Sequence, residues 1–195
     1  MIRVSDTPFY KLLKTGQTTQ YGGYNDDGLY EMGVAKEYDV LTLGGYSGHT
    51  HIILNLLDEP HTNECVYDRR TQLMWSREAC DHLGPAADGK LPFTTNVNGE
   101  GIFTYVAAAN AALLAGYGDW RVPNIMEILT LPIYEAPVAG PNALAFPVWN
   151  VVDWFNTSTT NPLAVGSVLA VNFSSGQISS GVKTSNFLVV LVRGG

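Results

Sequence analysis

The chain has 195 residues, of which 46% are hydrophobic and 15% charged, with a formal charge of -7 at pH 7. That length allows one domain with a real core and a small N-terminal extension. The acidic balance and only 11 Lys and Arg, scattered along the chain, exclude a nucleic-acid partner, because phosphate binding needs clustered basic side chains. No run of eighteen apolar residues occurs, so no helical membrane insertion is expected.

The first residues, Met1-Ile2-Arg3-Val4-Ser5-Asp6, lack the apolar core of a signal peptide, so the expectation is a chain that leaves its cell only on something larger, such as a virion. Residues 1–60 read as an N-terminal extension of short strands and loops, and 61–195 as the main domain. Asn25-Asp26-Asp27-Gly28 has turn chemistry and lacks the spaced carboxylates of a calcium loop. His49, His51 and His61 have no cysteine or carboxylate cluster at ligand spacing, so no metal is expected. Residues 51–57 are an apolar strand candidate. Cys65 and Cys80 stand fifteen positions apart; without a signal peptide, reduced thiols are the expectation.

Residues 65–68 and 73–76 read as a hairpin around Arg69-Arg70-Thr71, and 84–100 as a loop rich in Gly, Pro, Asp and Asn. Residues 102–114 have helical periodicity, stopped by Gly116 and Gly118. Asp119-Trp120-Arg121-Val122-Pro123 follows. This node fixes how two elements cross: the Arg121 fork is held by a carboxylate or by carbonyls, with Trp120 buried beside it. Asn124 and Glu127 have capping-box spacing and open a second helix running to Leu131, where Pro132 ends it. Residues 132–148 hold several prolines and read as irregular. Beyond Trp149 only Asp153, Lys183 and Arg193 are charged. Three β segments are predicted there: 168–173, 177–178 after a Ser174-Ser175-Gly176 turn, and 187–192, apolar throughout and so a central strand.

Several motifs in this order resemble the domain at the C-terminus of bacterial collagen-like adhesins. They are Lys14-Thr15-Gly16-Gln17-Thr18, Asn25-Asp26-Asp27-Gly28, Val66-Tyr67-Asp68-Arg69-Arg70-Thr71-Gln72-Leu73-Met74-Trp75, and Gly118-Asp119-Trp120-Arg121-Val122-Pro123. Phe146-Pro147, Val171-Asn172-Phe173 with Gly176, and Val192-Arg193-Gly194-Gly195 complete the set. The chain departs where that family tends to have Gly at Gln72, Trp-Ser-Ser-Thr at residues 155–159, and Arg near Val190. The resemblance implies an α+β, C-type-lectin-like fold: two helices packed on a small twisted antiparallel sheet with many loops, assembled as a homotrimer.

Some lectin-fold proteins are the variable proteins of diversity-generating retroelements, in which adenine-directed changes rewrite asparagine codons of a C-terminal segment. Residues 150–191 are rich in the amino acids such codons can become. The candidate ligand-binding surface is therefore Val152, Asp153, Phe155, Asn156, Val165, Ser167, Val168, Leu169, Ser179, Gly181, Val182, Phe187, Leu188 and Val190. The alternative is that the apolar members are simply core. The expected function is receptor or ligand binding without catalysis or cofactor, on a phage tail tip, for a cell-surface protein or glycan. A carbohydrate-binding bacterial adhesin using Trp149 and Trp154 is the second reading. Sulfatase-modifying oxidases share a related fold and depend on cysteines, but no base stands beside Cys65 or Cys80 in sequence. No Ser-His-Asp set, carboxylate pair or phosphate loop is present either.

Overall fold

The computed structural model describes residues 13, 15, 17, 19–20, 38–42, 64–76, 90–95, 99–134, 140–141, 145–146 and 152–194. The readings of residues 25–28, of His49, His51 and His61, of the 51–57 strand, of Cys80 and of Trp149 lie outside them. Among the described residues the chain is an α+β, sheet-rich domain with few helices, and its strands form two sheets.

The first sheet has the order β1-β2-β3-β9, from β1 (Tyr38–Thr42), β2 (Glu64–Asp68), β3 (Leu73–Ser76) and β9 (Val192–Gly194), all antiparallel. β1 belongs to the stretch read as an extension, yet it pairs with β2 over five residues. The predicted hairpin is β2–β3. Its turn is built by Asp68, whose Oδ1 accepts from the backbone N–H of Arg70 (2.8 Å) and Thr71 (3.3 Å) and whose Oδ2 accepts from the Thr71 hydroxyl (2.8 Å). Such side-chain bonds are what make Asp a turn former. The turn then needs a left-handed residue, and Gln72 supplies it at φ 60°. Glycine takes that conformation without the steric penalty, which accounts for the family tendency at this position.

The second sheet has the order β4-β8-β5-β6-β7. Its strands are β4 (Lys90–Pro92), β5 (Trp154–Thr160), β6 (Ser167–Asn172), β7 (Gln177–Val182) and β8 (Asn186–Leu188). The pairing is antiparallel except for a parallel contact between Phe155 of β5 and Leu188 of β8. The predicted 168–173 strand and its Ser-Ser-Gly turn are present as β6 and the 173–176 turn. β7 continues to Val182, four residues past the predicted end. β5 was not anticipated, and β4 lies within a stretch read as loop.

Helix α1 spans Ile102–Ala111 and α2 spans Ile125–Ile128. Both end about three residues earlier than their sequence patterns imply. After α1 the backbone turns left-handed at Leu113 (φ 54°) and at Ala115 (φ 51°), and a 3-10 turn at Leu114–Gly116 follows. The Asn124–Glu127 capping box is formed: Asn124 Oδ1 accepts from Glu127 N (2.9 Å), and Glu127 Oε2 accepts from Asn124 N (2.8 Å).

Residues 188–192 explain the architecture. Leu188, Val190 and Val192 enter one apolar cluster with Val66, Trp75, Ile128, Leu131, Phe155, Val171 and Phe173. Val189 and Leu191 enter another with Cys65, Met74, Leu91, Ile102, Tyr105, Ala109, Trp120 and Val122. Alternating side chains thus feed two cores from opposite faces. The run is apolar throughout because both faces are covered. It is not one central strand: β8 belongs to the second sheet and β9 to the edge of the first, and residues 189–191 carry the chain between them.

Candidate functional site

The sheet is held to the helices by the node after α1. Trp120 is buried, its N–H donates to Asn110 Oδ1 (2.7 Å), its carbonyl accepts from Asn110 Nδ2 (2.9 Å), and its indole N–H donates to the Leu114 carbonyl (2.8 Å). Arg121 forks onto both oxygens of Glu127 (2.7 and 2.6 Å) and donates to the Gly194 carbonyl (3.0 Å). Its backbone N–H and C=O both bond Val192 at 2.9 Å. Carboxylate and carbonyl therefore both hold the fork. Burial pushes the Glu127 carboxyl up, but the hydrogen bonds from Arg121 and from Asn124 N outweigh it and hold the group below its ordinary range. Asp119 pairs with Arg193 through two bonds (2.6 and 3.1 Å), whose hydrogen bonding holds its carboxyl low. The Arg193 guanidinium lies 3.7 Å from the Tyr117 ring centroid. The node is structural, as its composition implies.

Downstream, the candidate surface divides. Phe155, Asn156, Val168 and Val190 are fully buried and Leu188 is 3% exposed, so the expectation that they face a ligand is corrected. Phe155 and Phe173 pack edge to face at 4.9 Å within the first cluster. Asn156 is polar but interior; its Nδ2 donates to the Leu91 carbonyl (3.2 Å), spanning the gap between β5 and β4. Its Oδ1 has no partner among the described residues. The remaining nine are exposed or half-buried: Val152, Asp153, Val165, Ser167, Leu169, Ser179, Gly181, Val182 and Phe187.

These nine do not form one patch. The β6–β7 register opposes Val168 to Gly181 and Ala170 to Ser179, and Ser167 to Val182 and Leu169 to Ser180. Opposed residues share a face, so Ser179 and Gly181 lie on one face of the sheet and Ser167, Leu169 and Val182 on the other. The Phe187 ring covers Gly181 so closely that a Cβ there would stand 2.2 Å from its Cζ. A side chain at position 181 therefore requires the Phe187 ring to move or to be smaller. Val152 and Asp153 sit before β5, at the opposite end of the sheet from Val165; Asp153 pairs with Lys90 at 3.0 Å.

Among the described residues the most exposed large apolar side chains lie on the β5–β6 loop, residues 161–166. Leu163 is 95% exposed and Val165 76%, with Val182 beside them at 55%. The loop is fixed by its own bonds. Asn161 N donates to the Ser167 carbonyl (3.0 Å), Ala164 N to the Asn161 carbonyl (3.1 Å) and Ser167 N to the Ala164 carbonyl (2.7 Å). Asn161 Oδ1 accepts from Leu163 N (2.9 Å), and its Nδ2 donates to Ser180 Oγ (2.8 Å). Lys183 N donates to the Gly166 carbonyl (2.9 Å) and ties the loop to the turn after β7. Next to it the Lys183 ammonium sits 4.8 Å over Phe93, which meets the exposed Phe103 edge to face at 5.1 Å. Leu163 was missed in the sequence, although Asn161-Pro162 marks a turn and an apolar residue just inside a turn has little to pack against.

The surface of residues 154–182 offers apolar and uncharged polar groups. From residue 154 to 182 the sequence holds no Asp, Glu, Lys or Arg. No group of three His, Cys, Asp or Glu able to hold a metal occurs among the described residues. Cys65 is buried, and desolvation raises its thiol pKa against the opposing charge of Arg193, so the thiolate is disfavoured. None of the described helices is long and apolar enough to cross a membrane.

No curated protein matches the chain. A family match does exist; it begins at the first residue of β2 and ends inside β9, taking in every described strand but β1. Over residues 64–193 the chain matches the Lcl C-terminal domain, which suggests a surface, adhesin-like role, and it belongs to that family.

Proposed function

We propose that this protein is a non-catalytic binding module of C-type-lectin-like fold, using no cofactor, that holds its target at the β5–β6 loop. The target is a cell-surface protein or glycan, and the module is displayed on a virion tail tip as a homotrimer. One observation carries the reading: Leu163 and Val165 project into solvent from a loop held by backbone hydrogen bonds at Asn161, Leu163, Ala164 and Gly166. A rigid loop loses little entropy when it docks, and exposed apolar side chains gain about 25 cal/mol for each Å² removed from water. Three copies on one stalk would multiply a weak single contact. Diversification of the C-terminal segment fits the nine outward positions and stops at the five interior ones.

The test is a Leu163→Ala/Val165→Ala double variant, compared with the parent for binding to intact bacterial cells and to a glycan array. Loss of cell binding alone supports a protein receptor, and loss of array binding supports the adhesin alternative. Binding undiminished on both surfaces overturns the site.

A further inference from the structure

Among the described residues four strand edges bound the two sheets, and three of them carry features that blunt an edge. β4 is three residues long and contains Lys90 and Pro92; β9 is three long and contains Arg193; β1 contains Asp39. Charges, prolines and short lengths are how proteins stop edges from pairing. β7 has none of these. It is six residues, Gln177–Val182, uncharged, without proline, and in unbroken register with β6.

The hydrogen-bond phase shows which backbone groups face out. Lys183 N donates to the Gly166 carbonyl, so that pair is hydrogen-bonded across the ladder. Antiparallel pairs alternate between bonded and non-bonded. The pairs of Ile178, Ser180 and Val182 with Val171, Leu169 and Ser167 are then non-bonded, and their backbone groups point away from each other. The β6 side agrees: the Leu169 carbonyl accepts from Thr157 Oγ1 (2.6 Å) and the Ser167 carbonyl from Asn161 N, both toward β5. On the outer side the Val182 carbonyl is used by Ser185 N (2.8 Å). Among the described residues nothing takes up the N–H and C=O of Ile178 and Ser180 or the N–H of Val182.

We propose that β7 pairs antiparallel with β7 of a second copy of this chain, about a two-fold axis through Ser180. In that register Ile178 of each copy opposes Val182 of the other, Ser180 opposes Ser180, and the outward donors and acceptors meet. Ile178 and Val182 share one face and are 49% and 55% exposed, so the pairing also covers apolar surface. The charge pattern selects a second copy. Each chain carries -7 overall, yet residues 154–182 contain no ionised side chain, so two copies meet here without opposing carboxylates. Such a contact is isologous and closes on itself, joining two five-stranded sheets into one of ten.

Sedimentation equilibrium of the full chain over a wide concentration range tests this. The expected result is an even number of copies. Ile178→Lys and, separately, Ile178→Pro should each weaken the assembly at least about tenfold while the circular dichroism and thermal midpoint stay near those of the parent. The Ile178 N–H points away from β6, so a proline there removes an outward donor and no ladder bond, and it leaves the Asn161–Ser180 bond of the β5–β6 loop in place. One or three copies at every concentration, or an even assembly that both variants leave intact, overturns the proposal. These variants differ from the Leu163 and Val165 pair, so ligand binding and pairing fail or survive separately.

Discussion

Phe155→Ala and Leu163→Ala are the same kind of truncation at two apolar residues eight positions apart, and they should behave in opposite ways. Phe155 is fully buried and packs edge to face on Phe173 at 4.9 Å. Removing a core phenylalanine costs about 3–5 kcal/mol, with about 0.5–1.5 of that from the aromatic pair itself. In a chain of this length each kcal/mol moves the midpoint by about 2–4 °C, so the loss should be about 6–20 °C. Leu163 is 95% exposed, and its truncation should change stability by no more than about 0.5 kcal/mol. Scanning calorimetry on both variants measures the difference directly. A Phe155→Ala midpoint within about 2 °C of the parent, or a Leu163→Ala loss as large as that expected for Phe155, would refute the division into interior and surface positions.

Gln72→Gly should stabilise the protein by up to about 1 kcal/mol, read as a higher midpoint in urea, since the left-handed backbone at φ 60° favours glycine. Glu127 has its folded-state pKa below the unfolded one, so its ionised form contributes stability at neutral pH, and that contribution is lost as pH falls through the folded value. Glu127→Gln should therefore lower the midpoint at pH 7, and its curve should converge on the parent's in acid; parallel curves would remove Glu127 from the linkage.

How much of this was readable beforehand depended on where each residue finds its partners. The 64–76 hairpin, the α2 capping box and the β6–β7 turn are specified by neighbours two to four positions away, as in the bonds of Asp68 and of Asn124 with Glu127. β5 is different. Its Asn-Thr-Ser-Thr sequence reads as surface, yet Asn156 and Thr157 are interior because Leu91 and Leu169 supply their hydrogen-bond acceptors from 65 and 12 positions away. The end of α1 is likewise a tertiary matter: the alanines before it would continue a helix, and the chain turns at Leu113 regardless. Exposure was the hardest part. Val165 and Val168 are alike in type and three apart, yet one stands in solvent on the β5–β6 loop and the other in the core on β6, and nothing in their type separates them.

Residues 186–194 bond to β4 at one end and to β3 at the other, with their side chains split between two apolar clusters. A single covalent segment is thereby indispensable to both halves. Neither sheet can melt and leave its neighbour standing, so heat should take the domain apart in one cooperative event. Evolution is correspondingly free to rewrite the rim around that segment, while a change at its buried residues, 188–192, would be felt everywhere at once.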